Sequence, residues 1–316
     1  MPGFALAFDS AEWLEKHEVL SREVERLQAS YADCVARLEV PAENVSFPIE
    51  GHPDGSVKSI LTAEKAQFFL DTGFVWGKNV VVRQMTTNGV VEAEITADSC
   101  VVDRSTKSGW VEGHAHATYL KNEVEGDGIY FSFSEEFVII SANTLIRSKE
   151  QKFDTSVLGS AKSAKKKKAK GGAGSAQVVA CRTDLDRKAG VIMFDGNVHV
   201  SDPEYALGAE RLFVFLDGTN SLKRIVADGD VAVTNGLRYG SCARATYSKS
   251  AGKVVMYADE TRPAKLVEES HKRDEVEGRR ITFWLDSDQI EVEGSTITVD
   301  GGAFGGKDGA LKLMGK

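Results

Sequence analysis

A six-residue pattern recurs along most of the chain and limits what the chain can fold into. It consists of a small residue, two mostly polar positions, an apolar residue, any residue, and a second apolar or aromatic residue. The copies begin at Ala63, Ala97, Gly126, Ala180, Ala209, Cys242 and Gly278. Because one such unit cannot bury its apolar face alone, a repeat of this length predicts a stack of similar units.

A second pattern, which starts with glycine, lies between these copies. It begins at Gly77, Gly113, Gly196 and Gly229. Apolar residues alternate with polar ones in both patterns, which is typical of strands with one apolar face. A small residue at the start of each strand fits a bend or a close backbone approach where the chain passes between two sheets. A sandwich or jelly roll and a β-solenoid both satisfy this pattern.

Two segments break the alternation. Residues 10–40 carry apolar side chains at four-three spacing, which predicts an amphipathic helix that ends before Pro41. Residues 153–177 are rich in Lys, Gly and Ser and indicate a flexible linker, either a solvated spacer or a tether to an anionic surface. The expected β domains are therefore residues 45–152 and 178–300, with a Gly-rich tail at 301–316.

Composition excludes several classes of function. The hydrophobic fraction of 42% is enough for real cores, and no apolar run reaches the roughly 20 residues of a membrane-spanning helix. A net charge of −8 argues against nucleic acid as a partner. The first ten residues, MPGFALAFDS, do not form a complete signal peptide, although Ala5 and Ala7 have the spacing of a signal-peptidase site.

Catalytic and metal-binding motifs are not recognisable. GGAFGGKD at 301–308 lacks the Ser or Thr that a P-loop needs after its lysine. His114 and His116 face the same side of a strand, but no third metal ligand is evident. We therefore predict no enzymatic activity, no metal and no cofactor. Of the four cysteines, Cys181 could pair with Cys100 or with Cys242 in an oxidising compartment.

Five short motifs follow one another in the C-terminal half of the chain. The motifs are GNVHV at 196–200, LGAERLFV at 207–214, GDVAV at 229–233, RPAKL at 262–266 and VEGRRITF at 276–283. The order and spacing of these motifs resemble the OstA/LptA domain of the bacterial lipopolysaccharide transport bridge. The resemblance extends over about residues 178–300.

Residues 45–150 resemble the related LptC domain more weakly. The motifs are LTAEKA at 61–66, GKNV at 77–80, AD at 97–98, GWVEG at 109–113 and EGDGIY at 125–130. LptC usually begins with a membrane-spanning helix, whereas this chain has a soluble heptad helix.

The resemblance implies an all-β protein with two open, V-shaped β-jelly-roll domains after one amphipathic helix. It also implies a periplasmic location, lipopolysaccharide as cargo, and contacts with other bridge components and the inner-membrane Lpt ABC transporter. Such domains can also self-associate by β-strand addition. The positions that would line the lipid-binding groove are Ala66, Phe68, Cys100, Val102, Ile129, Phe131, Leu212, Val214, Ala245, Tyr247, Ile281 and Phe283.

Periodicity alone does not distinguish a closed core from an open groove. A closed core favours an alternative function, that of a structural or adaptor protein of the cell envelope that assembles through β edges and the heptad helix. A carrier for another envelope lipid is a third hypothesis.

Overall fold

The computed structural model describes residues 10–119, 122–148, 176–201, 205–218, 221–235, 238–269, 273–284, 289–294, 296–298 and 311–314. The start of the chain, the Lys-rich linker at 153–175 and the tail, apart from residues 311–314, lie outside the described residues. The described part consists of one helix and twenty strands, as expected for an all-β protein with an N-terminal helix. No helix in these ranges has the length and hydropathy of a membrane-spanning segment.

The chain forms two compact units. Unit 1 comprises Met1–His116 and Gly128–Glu135, and unit 2 comprises Ala117–Asp127 and Glu136–Lys316. The first elements are α1 (Ser10–Ala36), β1 (Ala42–Gly51), β2 (Val57–Phe69), β3 (Phe74–Met85), β4 (Val91–Asp103), β5 (Ser108–Tyr119) and β6 (Asn122–Ser132). Those that follow are β7 (Phe137–Ser148), β8 (Ala176–Ala180), β9 (Arg182–Asp186), β10 (Val191–Ser201), β11 (Tyr205–Leu216), β12 (Leu222–Asn235) and β13 (Arg238–Ser248). The last are β14 (Lys253–Tyr257), β15 (Ala264–Glu269), β16 (Arg273–Gly278), β17 (Arg280–Trp284), β18 (Ile290–Glu293), β19 (Thr296–Thr298) and β20 (Leu311–Met314).

Helix α1 ends at Ala36, four residues before the predicted end, and its apolar stripe packs on its own unit. Leu20, Val24, Leu27 and Cys34 are buried. Polar contacts fix the helix on the sheet, among them an ion pair of 2.8 Å between Arg26 and Asp103. The heptad spacing of α1 therefore reflects the packing of the helix on the strands of unit 1.

The long strands of unit 2 are kinked in the middle, and the kinks lie in one row. Gly196 and Gly229 both have a φ of +76°, and the residue after each is also left-handed. The register with the neighbouring strands shifts at both positions, between Asp195 and Val198 in β10 and between Asp228 and Val231 in β12. Glycine is favoured there because an L side chain disfavours a left-handed backbone.

The kinks divide unit 2 into two layers. The first half of β10 pairs with β9 and its second half pairs with β8. In the same way, β13 pairs with β14 over Arg244–Ser248 and with β15 over Arg238–Ser241. We call the layer with β9, β14, β17 and β18 layer A, the layer with β8, β15, β16 and β19 layer B, and the row of kinks the spine. In both layers, the turns that lie farthest from the spine form the mouth.

The two layers face each other across a hydrophobic interior. Gly240 of layer B lies so close to Met256 of layer A that a Cβ on Gly240 would be 3.1 Å from the Met256 Cε. Side chains of both layers belong to one buried hydrophobic cluster. Among the described pairs, only β18 and β20 are parallel. This antiparallel order excludes the β-solenoid alternative, whose coils stack parallel strands.

Strand β7 precedes the Lys-rich linker but pairs with strands that follow it. Residues Phe137–Ile140 pair with β9, and Thr144–Ser148 pair with β8. The compact units divide within β5 and β6, so β7 lies in unit 2 together with β8 and β9. Strand pairing over such a long separation leaves no local signal in the sequence.

Unit 1 folds over in the same manner. Phe47 of β1 is opposite Leu61 of β2, and Phe68 lies seven residues further along β2. Seven residues of straight strand span about 23 Å. The rings of Phe47 and Phe68 nevertheless contact each other, with centroids 5.6 Å apart. Strand β2 must therefore bend sharply between them, opposite Asn79 of β3, whose φ is 49°.

Candidate functional site: the interior between the layers

The small residues that open the repeats of unit 2 lie at the spine. In unit 2, Ala180, Ala209 and Cys242 are buried. Ala209 pairs with Val198 and Cys242 pairs with Val231, directly beside the register shifts of β10 and β12. The layers converge at the spine, so a larger side chain would hold them apart. The predicted bend or close backbone approach is therefore confirmed, and each repeat marks the point where the chain crosses from one layer to the other.

Two rows of apolar side chains cover the interior face of layer A. In the row next to the spine, cross-strand neighbours run from Phe194 in β10 to Val292 in β18. Its members are Phe194, Leu212, Ala227, Ala245, Met256, Ile281 and Val292. The row nearer the mouth consists of Ile192, Val214, Ile225, Tyr247, Val254, Phe283 and Ile290. We call these the spine row and the mouth row.

The structure brings all six predicted groove residues of unit 2 into these rows. Leu212, Ala245 and Ile281 belong to the spine row, and Val214, Tyr247 and Phe283 belong to the mouth row. Phe283 packs against the buried hydrophobic cluster, and the other five are members of it. The spine row is buried throughout, whereas Ile192, Ile225 and Phe283 of the mouth row are partly exposed. Solvent thus reaches the interior from the mouth.

The predicted residues of unit 1 follow the same order. Ala66 and Cys100 are both opposite Gly77 of β3, and Phe68 and Val102 are both opposite Val75. Ile129 and Phe131 in β6 are buried as well. Phe68 is the exception, with 38% of its surface exposed, because it lies at the edge of the sheet where β1 no longer pairs with β2.

The interior of unit 2 is closed at the centre of the site. A cavity of about 30 Å³ lies between the layers, lined by side chains such as Val233 and Leu266 from layer B and Val254 and Phe283 from layer A. That volume holds a few water molecules at most and is far too small for an acyl chain. An acyl chain can therefore enter only if the layers or the mouth-row side chains move apart.

Layer B contributes lining residues that the sequence analysis missed. Val233, Gly240 and Leu266 line the cavity, but only positions after the small residue of each repeat were predicted. The signal that could have revealed them is the apolar position two residues before each small residue, such as Leu207 before Ala209. Those positions continue the same alternation on the other side of the spine.

Charged pairs lie on the outer face of layer A, beside the spine. Arg211 contacts Asp195 at 2.7 Å, and Arg244 contacts Asp228 at 2.9 Å, each pair joining neighbouring strands. Exposed pairs of this kind contribute at most about 1 kcal/mol each. Their main effect is to keep one face of the sheet polar while the other stays apolar, which defines the inside of the fold.

The four cysteines are free, so neither predicted disulfide is formed. Cys181 is exposed at the spine, where the Asn197 amide contacts its sulfur at 3.8 Å. Cys242 points into the interior of the same unit, and the two thiols therefore lie on opposite faces of the sheet. Burial raises the pKa of the Cys100 and Cys242 thiols to about 12.

His114 and His116 lie side by side on β5, as predicted from their spacing. Their rings contact each other edge to face, with centroids 5.0 Å apart, and both side chains are exposed. The Gly-rich motif at 301–308 lies outside the described residues.

Comparison with known proteins gives one family match. Residues 177–301 match the family model described as "LptA/(LptD N-terminal domain) LPS transport protein", and this segment spans β8 to β19. Among solved structures, the chain is similar to LptH, the LptA-homologous periplasmic component of the lipopolysaccharide transport device of Pseudomonas aeruginosa. The identity is 15%, the match covers 40% of this chain and 95% of the other, and the TM-score is 0.35. No curated protein matches the chain. The family match is confined to residues 177–301, and the structural similarity adds no argument at this score.

Proposed function

We propose, because residues 177–301 form a domain of the LptA/OstA type, that the protein takes part in lipopolysaccharide transport as a lipid-binding component. In this proposal the acyl chains of lipid A lie between layers A and B of unit 2. The observation that carries it is the pair of continuous apolar rows, of which only the mouth row is reached by solvent.

The chemistry of the interior suits a carrier. Removing an acyl chain from water is favourable by about 0.8 kcal/mol per methylene, so ten methylenes contribute about 8 kcal/mol. No bond has to form or break, and the role needs no catalytic residue. Neighbouring domains with similar interiors would exchange the lipid at nearly equal free energy, so the direction of transport must come from an external energy source.

Loading requires the closed interior to open. The strands that cross the spine hold the two layers together there, while the layers end in separate turns at the mouth. The mouth is therefore the side on which they can separate with the least loss of backbone hydrogen bonds. Phe283 and the other partly exposed members of the mouth row would meet the lipid first.

We propose a related role for the rest of the chain. Unit 1 repeats the folded strands and the row order, so it would offer a second interior of the LptC type. The cellular location would be the periplasm. The partners would be lipopolysaccharide, other bridge components and the inner-membrane Lpt ABC transporter, with strand addition as a route to self-association.

Photo-crosslinking tests the proposal. A benzophenone side chain at Phe283 should capture lipopolysaccharide, because this position faces the mouth. The matched control is the neighbouring Trp284, whose side chain points to the outer face of the same strand. Equal capture at the two positions would contradict binding between the layers.

The small interior cavity favours a second candidate, an envelope adaptor with a dry core. The two candidates differ in what the purified chain retains. Mass spectrometry after organic extraction should find acyl lipid with a carrier and none with an adaptor. Recovery of a different acyl lipid would instead indicate a carrier for another envelope lipid.

A further inference from the structure

The mouth of unit 1 is covered by aromatic rings at the edge of the sheet. The rings of Phe47 and Phe68 meet edge to face at an interplanar angle of 78°. Phe68 continues a row whose other members, Val75 and Val102, are fully buried. The ring pair thus separates the apolar interior of unit 1 from solvent.

Two cationic side chains reach across this mouth from the turn between β4 and β5. The guanidinium of Arg104 lies over the ring of Phe47, 5.6 Å from its centroid. The ammonium of Lys107 lies 3.4 Å from a carboxylate oxygen of Glu50. Both partners belong to β1, so one turn bridges the mouth with two positive charges.

The cations of this turn differ in how their charges are compensated. Lys58 also approaches Glu50, at 3.1 Å, so Lys58 and Lys107 share a single carboxylate. The Lys58 contact lacks hydrogen-bond geometry and leaves Glu50 Oε2 without a donor. Arg104 is exposed, and no carboxylate in the described parts of the chain lies within 4.0 Å of it. Its position over an aromatic ring leaves its hydrogen-bond donors available to a ligand.

We propose that this turn recognises the anionic headgroup, such as a phosphate, of an amphiphile whose acyl chain enters the interior of unit 1. The inference rests on the proposed lipid-binding function and adds a headgroup site to it. Arg104 and Lys107 exchange their partners on β1 for the anion, and the Phe47 and Phe68 rings separate to admit the chain. Guanidinium and ammonium groups form charge-assisted hydrogen bonds with phosphate oxygens.

A fluorine probe at the mouth tests this site in the full-length chain. A trifluoromethyl group on the ring of Phe68 reports binding there by ¹⁹F NMR, separately from binding in unit 2. The ligands are dodecyl phosphate, neutral dodecyl maltoside and inorganic phosphate, with the detergents below their micelle concentrations. The variants are Arg104→Gln and Lys107→Gln, and exposed Lys78→Gln is the charge-matched control.

We expect each mouth variant to weaken dodecyl phosphate binding about tenfold, while dodecyl maltoside binding and the Lys78→Gln control stay at the wild-type value. Unchanged affinity of both mouth variants for dodecyl phosphate would overturn the headgroup site and leave the lipid-binding interior standing. If neither detergent shifts the resonance of the wild type, the proposed function itself fails for unit 1. Inorganic phosphate that binds as tightly as dodecyl phosphate would also overturn the inference, because the site would then serve a free anion.

Discussion

The kink at Gly229 should be far more sensitive to a single methyl group than its position in a strand suggests. Its φ of +76° is left-handed, and a Cβ there would lie 2.7 Å from the Cβ of Glu210 on the neighbouring strand. Both atoms are fixed by the backbone, so neither can rotate away. Gly229→Ala must therefore strain the backbone and also push β11 and β12 apart.

The two effects have separate magnitudes. A left-handed conformation costs an L residue about 1–2 kcal/mol, and inserting a methyl group into a packed site costs typically about 1–3 kcal/mol. Gly229→Ala should therefore lower the free energy of unfolding by about 2–5 kcal/mol. For a unit of this size the midpoint of thermal unfolding should fall by roughly 5–15 °C.

Scanning calorimetry measures this loss. The matched control is Gly218→Ala, since Gly218 lies in an exposed turn and a Cβ there would meet nothing within 4 Å. Gly229→Asn separates the two effects, because Asn tolerates the left-handed backbone but still carries the Cβ. A melting temperature of Gly229→Ala as close to wild type as that of Gly218→Ala would refute the account of the spine.

Three further predictions concern stability and reactivity. Ile281→Ala should lower the free energy of unfolding by about 2–5 kcal/mol in urea denaturation, and Phe283→Ala by less, because Phe283 is only partly buried; equal losses would contradict the difference between the two rows. Burial opposes ionisation of Asp103, but hydrogen bonds from Ser105 and Arg26 outweigh it and lower the pKa of the carboxyl. The contribution of the ionised Asp103 carboxylate to the free energy of unfolding is complete above its pKa in the unfolded chain, about 4. That contribution is lost as the pH falls through the lower pKa of the folded state. Asp103→Asn should therefore reduce the dependence of the free energy of unfolding on pH in acid. Cys181 should react with Ellman's reagent in the native protein, while the three buried thiols react only after unfolding; four fast thiols would be inconsistent with the packing.

Much of the fold could be predicted from the repeat, because each copy must place a small residue at the spine and apolar residues towards the interior. Small residues such as Ala209 must occupy the narrow interior at the spine, and the apolar positions after them, such as Leu212 and Val214, must face the interior. Period-two alternation carries that information directly.

Other features had no comparable signal. The pairing of β7 with β8 and β9 crosses a long segment without regular alternation. Phe68 is exposed because β1 stops pairing with β2 before that position, and the alternation of residues within β2 does not show where β1 ends. Whether the interior is closed or open depends on the distance between the layers. A strand with alternating apolar and polar residues is compatible with either state, so the sequence does not distinguish them.

The separation of the layers at the mouth of unit 2 is the most direct test of the account. Spin labels at Lys249 of layer A and Glu269 of layer B, in a chain with Cys181→Ser, report this separation by pulsed electron resonance. Labels at Lys249 and Lys188, both in turns of layer A, serve as the control. We predict that lipopolysaccharide lengthens the first distance and leaves the second unchanged. An unchanged first distance under saturating lipopolysaccharide would contradict the claim that acyl chains lie between the layers.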